Sequence, residues 1–315
     1  MKTWRLVIKI VIHTITDNLT MADHLVVVVT GTSRGIGKGI VQLLAKQQLQ
    51  RPLTIYSTSR SGTDTNIETT MPNTVVYRKV DTADKTSIKT FFDSVLKEHK
   101  AIDVLVNNAA ISHDDHETPE LAEKTILNNY GGTRDMCEAF LSQSNLQPGS
   151  RIVSVTSGIN RLQTYGLEIQ NAFRDAESMD ALDELARRYI DCVQQSPETQ
   201  EQAGWGSGAR SYKVSKALIN ALTIVLARQH PDVLVNCCCP GWCDTDMGNT
   251  AKGKPPKTSE QGARIPTRLA IGDLGPDGND DGGLGKESEK VSGLFYENDT
   301  IIQTGWGKAK LWLDS

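Results

Sequence analysis

The sequence has no block of basic residues, no 18-residue apolar run and no Cys-x-x-Cys pair. The first absence argues against nucleic acid as a partner, because phosphate backbones are held by clustered Lys and Arg. The second gives no reason to expect a membrane-spanning helix. The third removes the usual spacing of a zinc site or a thiol redox pair. The six cysteines are Cys137, Cys192, Cys237, Cys238, Cys239 and Cys243. Their pattern is expected of reduced thiols in a cytoplasmic protein. Nor is there a charge excess: 34 Lys and Arg stand against 38 Asp and Glu, with the signs mixed along the chain. No internal repeat or break in composition divides the sequence. Residues 21–315 are therefore expected to form one domain, long enough for a substantial α/β core.

Residues 1–20 are expected to be a non-core extension. Trp4 to Ile15 is largely apolar, but Lys9 and His13 interrupt it and no small-residue cleavage site follows. A weak membrane anchor is the alternative.

What is present is an alternation of strand and helix signals. Leu25 to Val29 is a short apolar run rich in β-branched residues, as in a buried parallel strand. Further strands are predicted at 53–57, 75–80, 102–106, 152–155, 233–238 and 293–296. Ile36, Ile40, Leu43 and Leu44 recur at helical spacing, and so do Ile88, Phe91, Phe92, Val95 and Leu96. Long helices are predicted over 121–141 and 211–228. This order predicts a doubly wound parallel sheet of the Rossmann type, with helices on both faces. Two stretches stand outside the alternation. Residues 158–210 carry an apolar stripe at Leu182, Leu185, Ala186, Tyr189, Ile190 and Val193, which predicts a helical insertion. Residues 272–290 are rich in Gly and Asp and are expected to form a mobile surface loop.

Thr30 to Gly37 reads Thr-Gly-Thr-Ser-Arg-Gly-Ile-Gly, between the first strand and its helix. Gly31 permits a tight turn, Gly35 lets the backbone approach a pyrophosphate, and Gly37 allows helix and strand to pack closely. The helix N-terminus presents free N–H groups and a positive dipole end to an anion. The second strand ends Ser57-Thr-Ser-Arg60, with no carboxylate until Asp64. An acid there would hold the ribose hydroxyls of NAD. Arg60, with Arg34 in the glycine turn, instead suits a 2′-phosphate and predicts NADP.

Tyr212 and Lys216 are four apart and share one helix face. That arrangement aims a phenol and an ammonium at one small volume. A neighbouring positive charge lowers a tyrosine pKa, so the pair suits proton exchange with a carbonyl or an alcohol.

Several runs together resemble the short-chain dehydrogenase/reductase family. They are Thr30 to Gly37, Asn107-Asn-Ala-Ala110, Ser154-Val-Thr-Ser157, Tyr212 to Lys216, and Cys239-Pro-Gly-Trp242. They follow the family's order, and the resemblance covers about residues 24 to 310. Asn129 to Cys137, Cys238 to Met247 and the stretch before Tyr212 are most similar to the monomeric NADPH-dependent carbonyl reductases.

The resemblance implies roles. Tyr212 would be the general acid, and Lys216 would bind the nicotinamide ribose and lower the Tyr212 pKa. Ser157 would polarise the substrate carbonyl, and Asn129 would hold a water that relays protons to Lys216. Gly31, Ser33, Arg34, Gly35, Ile36, Gly37 and Arg60 would bind the cofactor. Asp81 and Asn108 would lie at its adenosine side, and Pro240, Gly241, Cys243, Asp244 and Thr245 at its nicotinamide end. Trp242 and Met247 are placed to line the substrate pocket, or else belong to the core. Cys239 is either a reactive thiol near that pocket or a buried inert one. The resemblance also implies a monomer, since the 158–210 stretch would cover a surface through which many relatives assemble.

Three departures accompany the resemblance. Ala110 replaces the usual glycine, and Thr156 replaces a serine. The loop Ser112-His-Asp-Asp-His-Glu117 is acidic. In related reductases that loop holds anionic glutathione conjugates. Repulsion by Asp114, Asp115 and Glu117 speaks against such substrates here. The two histidines and the acids of the loop are expected to be solvated rather than to bind metal.

The expected activity is NADPH-dependent reduction of aldehydes, ketones or quinones as small-molecule substrates. Oxidation of a specific secondary alcohol, or a redox sensor that binds NADP(H) without turnover, are the alternatives.

Overall fold

A computed structural model describes residues 24–275 and 291–315. The expected extension at 1–20, and residues 276–290 of the expected loop, lie outside the described residues.

The chain opens with β1 (Leu25–Thr30), α1 (Gly35–Ala45), β2 (Leu53–Ser59), β3 (Thr74–Lys79), α2 (Lys85–Glu98) and β4 (Val104–Asn107). The predicted long helix follows in two parts. They are α3 (Pro119–Ile126) and α4 (Gly132–Leu141), joined by a π-helical turn at Leu127–Gly131. After β5 (Arg151–Val155) come α5 (Leu167–Arg174), α6 (Met179–Gln195) and α7 (Pro197–Gln202). Then follow α8 (Ser211–Gln229), β6 (Leu234–Cys238), α9 (Ser259–Gly262), α10 (Arg264–Ile271), β7 (Phe295–Glu297) and β8 (Lys308–Lys310).

The eight strands form one sheet in the order β3-β2-β1-β4-β5-β6-β7-β8. Pairing is parallel from β3 through β7, as the alternation of strands and helices predicts. β8 departs from that expectation by pairing antiparallel with β7, Phe295 opposite Lys310. It is a three-residue edge strand, Lys-Ala-Lys, and carries no hydrophobic periodicity. Its flanking lysines are the kind of charge that discourages pairing at a sheet edge.

β1 shows why the sheet is covered twice. Val26 and Val28 pack on one side with Phe91 and Phe92 of α2 and Leu218 and Leu222 of α8. Val27 and Val29 pack on the other with Ile40 and Leu44 of α1 and Leu269 of α10. Successive strand side chains point to opposite faces, so a continuous apolar run needs two apolar layers. Burying each such side chain is worth roughly 1.5–3 kcal/mol. The stripe predicted within 158–210 lies on α6, where Leu182, Leu185, Ala186 and Tyr189 are buried on the α8 side of the sheet.

β2 and β3 lie outward from β1, and the chain then returns to place β4 on the other flank of β1. The C-terminal ends of strands around such a reversal open a crevice, which is where ligands bind in sheets of this kind.

Candidate active site

The crevice is a cleft of about 1240 Å³ along the C-terminal strand ends. Of the site residues named from the sequence, all but Gly37 and Asn129 line it. That brings together residues from seven segments that are remote in sequence.

The glycine turn forms one end. Gly31 has φ +68°, and a Cβ there would lie 2.7 Å from the Cα of Ala109. The turn can therefore approach the end of β4 only without a side chain. Gly37 stands behind the turn, where a Cβ would meet the Gly31 carbonyl oxygen at 2.3 Å. Asn108 fixes the same contact, its amide donating to the carbonyls of Thr30 and Gly31 at 2.9 and 3.1 Å. The Asn108 amide therefore braces the turn, a role the resemblance did not give it. Asp81, which lines the cleft, accepts from the Ala83 amide at 3.0 Å.

Arg34 and Arg60 both line the cleft near this turn. Arg34 pairs with Asp246, Nη1 to Oδ2 at 2.6 Å, and both side chains are largely exposed. Asp246 was not named from the sequence. Its neighbours in the run Cys243 to Met247 were, but nothing local marks it as a partner of the glycine turn.

Tyr212 and Lys216 stand in the first turns of α8. Lys216 is buried, and its ammonium donates to the Val155 carbonyl at 2.8 Å. This bond ties α8 to the end of β5, two residues before Ser157. The same ammonium lies 5.6 Å from the centre of the Tyr212 ring. The lowering of the Tyr212 pKa expected from Lys216 is not what the structure gives. Burial, then the charges of Cys239 and Asp114, raise it, so the phenol stays protonated at neutral pH. Burial acts on Lys216 in the opposite sense and lowers its pKa to about 8.

Asn129 sits in the π-helical turn and is fully buried. Its amide oxygen accepts from Ile111 N at 2.8 Å, and its NH₂ group donates to Ile111 O at 2.8 Å and Ser215 Oγ at 3.0 Å. Insertions of this kind are frequent at functional sites. Gly132 fits the adjoining turn against the loop after β3, since a Cβ there would lie 2.6 Å from Thr82 O. Asn129 thus lies behind the cleft wall as a brace between the β4 loop and α8. Among the described residues no hydrogen bond joins it to Lys216.

The segment after β6 forms the facing wall. Trp242 and Met247 line it, and the Trp242 indole N–H donates to Gly248 O at 2.8 Å. The Cys239 thiol accepts from Gly241 N at 3.3 Å, and burial raises its pKa, which favours the inert reading of this cysteine. Cys243 is buried and pushed up to about 11. Lys257, which sequence reasoning missed, is buried behind Pro240 and Gly241. Its Nζ donates to Pro240 O at 3.4 Å and would lie 2.4 Å from a Cβ at Gly241.

The acidic loop does not act as one unit. Asp114 and Asp115 line the cleft. Glu117 does not. Its carboxylate accepts from Arg210 N at 3.1 Å, from Ser211 N at 3.0 Å and from the Ser211 hydroxyl. α8 has no side-chain cap of its own, so Glu117 satisfies amides at its N-terminus from a distant loop. Glu117 is thus engaged by the start of α8, while its negative charge still reaches Asp114 in the cleft wall.

A family model described as short chain dehydrogenase matches residues 25–169. (+)-Neomenthol dehydrogenase of Arabidopsis thaliana is 32% identical over 274 residues, covering 78% of this chain and 90% of that one. Carbonyl reductase [NADPH] 1 of Sus scrofa is 30% identical over 295 residues, covering 90% and 94%. The solved structure of salutaridine reductase from Papaver somniferum superposes with a TM-score of 0.65 at 25% identity. It covers 84% of this chain and 99% of that one.

Proposed function

The chain belongs to the short-chain dehydrogenase family, and from that premise we propose that it reduces aldehydes, ketones or quinones to alcohols, with Tyr212 as the proton donor. It is an NADP-dependent oxidoreductase. The observation that carries the finer reading is the tie between Lys216 and Val155. It sets the ammonium and the Tyr212 ring beside the strand end that bears Ser157.

The residues at the other end of the cleft fit NADP(H). Gly31 and Gly37 let the turn close against the end of β4 and its own helix, and the guanidinium groups of Arg34 and Arg60 line the same cleft, which supports a dinucleotide with a 2′-phosphate there. When bound, NADPH supplies the hydride that the carbonyl carbon accepts. The chain's own residues supply the rest. Ser157 donates a hydrogen bond to the carbonyl oxygen and polarises it. Tyr212, kept protonated by burial, gives its proton to that oxygen as negative charge develops. Lys216 holds positive charge over the ring and is available to the ribose hydroxyls. Asn129 acts through position, holding the π-helical turn against Ile111 and Ser215.

The same reading takes residues 21–315 as one reductase domain, monomeric and cytoplasmic. All six cysteines are free.

The test is NADPH oxidation with a panel of quinones and aromatic aldehydes, for the native enzyme and a Tyr212→Phe variant. Removing a general acid lowers the rate about 10²–10⁴-fold. Undiminished turnover in the variant would overturn the assignment. NADPH binding without turnover on any carbonyl would favour a sensor.

A further inference from the structure

We infer that Glu297 determines substrate choice: its free carboxylate oxygen accepts a hydrogen bond from a hydroxyl group carried by an otherwise apolar carbonyl compound. The inference rests on the reductase reading above and names its substrate class.

Glu297 ends β7 and lines the cleft that holds Tyr212. Contact with the residue after Ser157 fixes its place there. A Cβ on Gly158 would lie 2.7 Å from Glu297 Oε2 and 3.6 Å from Cys239 Sγ. The carboxylate therefore rests against this glycine, and consecutive Cα atoms are only about 3.8 Å apart. Oε2 thus stands one residue along the chain from the serine that takes the carbonyl oxygen in the reductase reading. What Glu297 can meet is a substituent elsewhere on the same substrate.

The two carboxylate oxygens differ. Oε1 accepts from the Lys310 ammonium of β8 at 2.9 Å. Oε2 has no donor among the described residues, and it stays open to solvent where Asp114 Oδ1 is closed off. The side chain is only 17% exposed, so a hydrogen bond to this oxygen forms in a partly desolvated place and is stronger than in open water. The ion pair sets the kind of donor. Lys310 balances the charge of Glu297, so Lys310 would oppose a ligand ammonium and Glu297 would oppose a ligand carboxylate. A hydroxyl meets neither opposition and still donates to a charged acceptor. The remaining wall is apolar: Trp242, Met247, Ile159 and Ile301 line the same cleft. Ile159 and Ile301 are 52% and 59% exposed. Large side chains in solvent at a cleft wall are suited to cover an apolar ligand body.

The experiment compares matched aromatic aldehydes in NADPH oxidation. One carries a hydroxymethyl group and the other a methoxymethyl group, which accepts but cannot donate, at the meta or para position in turn. The native enzyme should prefer the hydroxymethyl compound by about tenfold or more in kcat/KM at one position at least, the size of one charge-assisted hydrogen bond. In Glu297→Gln the amide oxygen stays with Lys310, and an NH₂ group that only donates is left for the cleft. The preference should then fall at least tenfold. Gly158→Ala puts a methyl 2.7 Å from Oε2 and should lower the same ratio by displacing the carboxylate. Binding of NADPH, followed by fluorescence, checks that each variant is folded. Turnover by the native enzyme without a hydroxyl preference at either position overturns the role of Glu297 alone. It is overturned equally if Glu297→Gln loses both substrates in the same proportion, as a merely structural residue would. If the native enzyme reduces neither aldehyde nor any quinone, the reductase reading fails and the inference falls with it.

Discussion

Glu117 caps the helix that carries Tyr212: its carboxylate accepts from the backbone amides of Arg210 and Ser211 at 3.1 and 3.0 Å. The loop after β4 thereby fixes where α8 begins. Since Lys216 is tied to Val155 further along the same helix, both ends of the Tyr212–Lys216 segment are held from other elements.

Glu117→Ala should therefore cost stability as well as activity. Unmaking part-buried hydrogen bonds to a charged acceptor costs about 1.5–3 kcal/mol, with a further few tenths from the helix dipole. Urea denaturation should show a lower midpoint with an unchanged slope. A midpoint equal to the native one would show that solvent caps α8 equally well.

The pH dependence follows from Lys216, lowered by burial to about 8. Below that pH the ammonium is charged. As pH rises through 8 the charge is lost, while Tyr212, raised by burial, remains protonated. The kcat/KM for NADPH should fall above pH 8, reporting the free enzyme. For stability the sign is opposite. Between pH 8 and the ordinary lysine value of 10.5 the unfolded chain binds more protons at this position than the folded one. The contribution of Lys216 to stability is therefore least favourable below pH 8 and improves as pH rises towards 10.5. A pH–rate profile flat from 7 to 10 would count against the assignment.

Coenzyme choice should depend on Arg60 and Arg34. Arg60→Ala should weaken NADPH by about 10- to 150-fold, from a loss of about 1.5–3 kcal/mol in charge-assisted hydrogen bonding, and leave NADH little changed. Asp246→Asn should act in reverse, since it releases Arg34 from an exposed ion pair. Such pairs are worth about 0–1 kcal/mol, so NADPH should tighten by no more than about fivefold. Titration of each variant with both coenzymes decides this, and equal losses for NADPH and NADH in Arg60→Ala would refute the 2′-phosphate role.

Gly37→Ala places a methyl 2.3 Å from Gly31 O and 2.5 Å from Asn108 Nδ2. The turn must move, at an overpacking cost of about 1–3 kcal/mol. Coenzyme affinity should fall by about tenfold or more, the equivalent of 1.4 kcal/mol. Calorimetric binding at native strength would show that the turn absorbs the methyl.

The sequence by itself determined the layered fold. β1 is apolar at successive positions, and only a strand covered on both faces tolerates that pattern. It also marked the glycine turn and the Tyr212–Lys216 spacing, because each depends on neighbours within a few residues, and it marked Ser157 through the resemblance alone. Two local features escaped it. Hydrophobic spacing over 121–141 reads as one helix, and the π-helical turn appears only when Asn129 meets Ile111 and Ser215. β8 is three residues long and is made a strand by its pairing with β7.

Tertiary structure decided the partners across the cleft. Arg34 meets Asp246, Glu117 meets Ser211, and Asn108 meets Gly31, each from a different stretch of chain. It also decided the electrostatics. Four residues of spacing place an ammonium beside a phenol and suggest a lowered tyrosine pKa. Burial of the phenol is set by every element packed around it, and with the charges of Cys239 and Asp114 it raises that pKa instead.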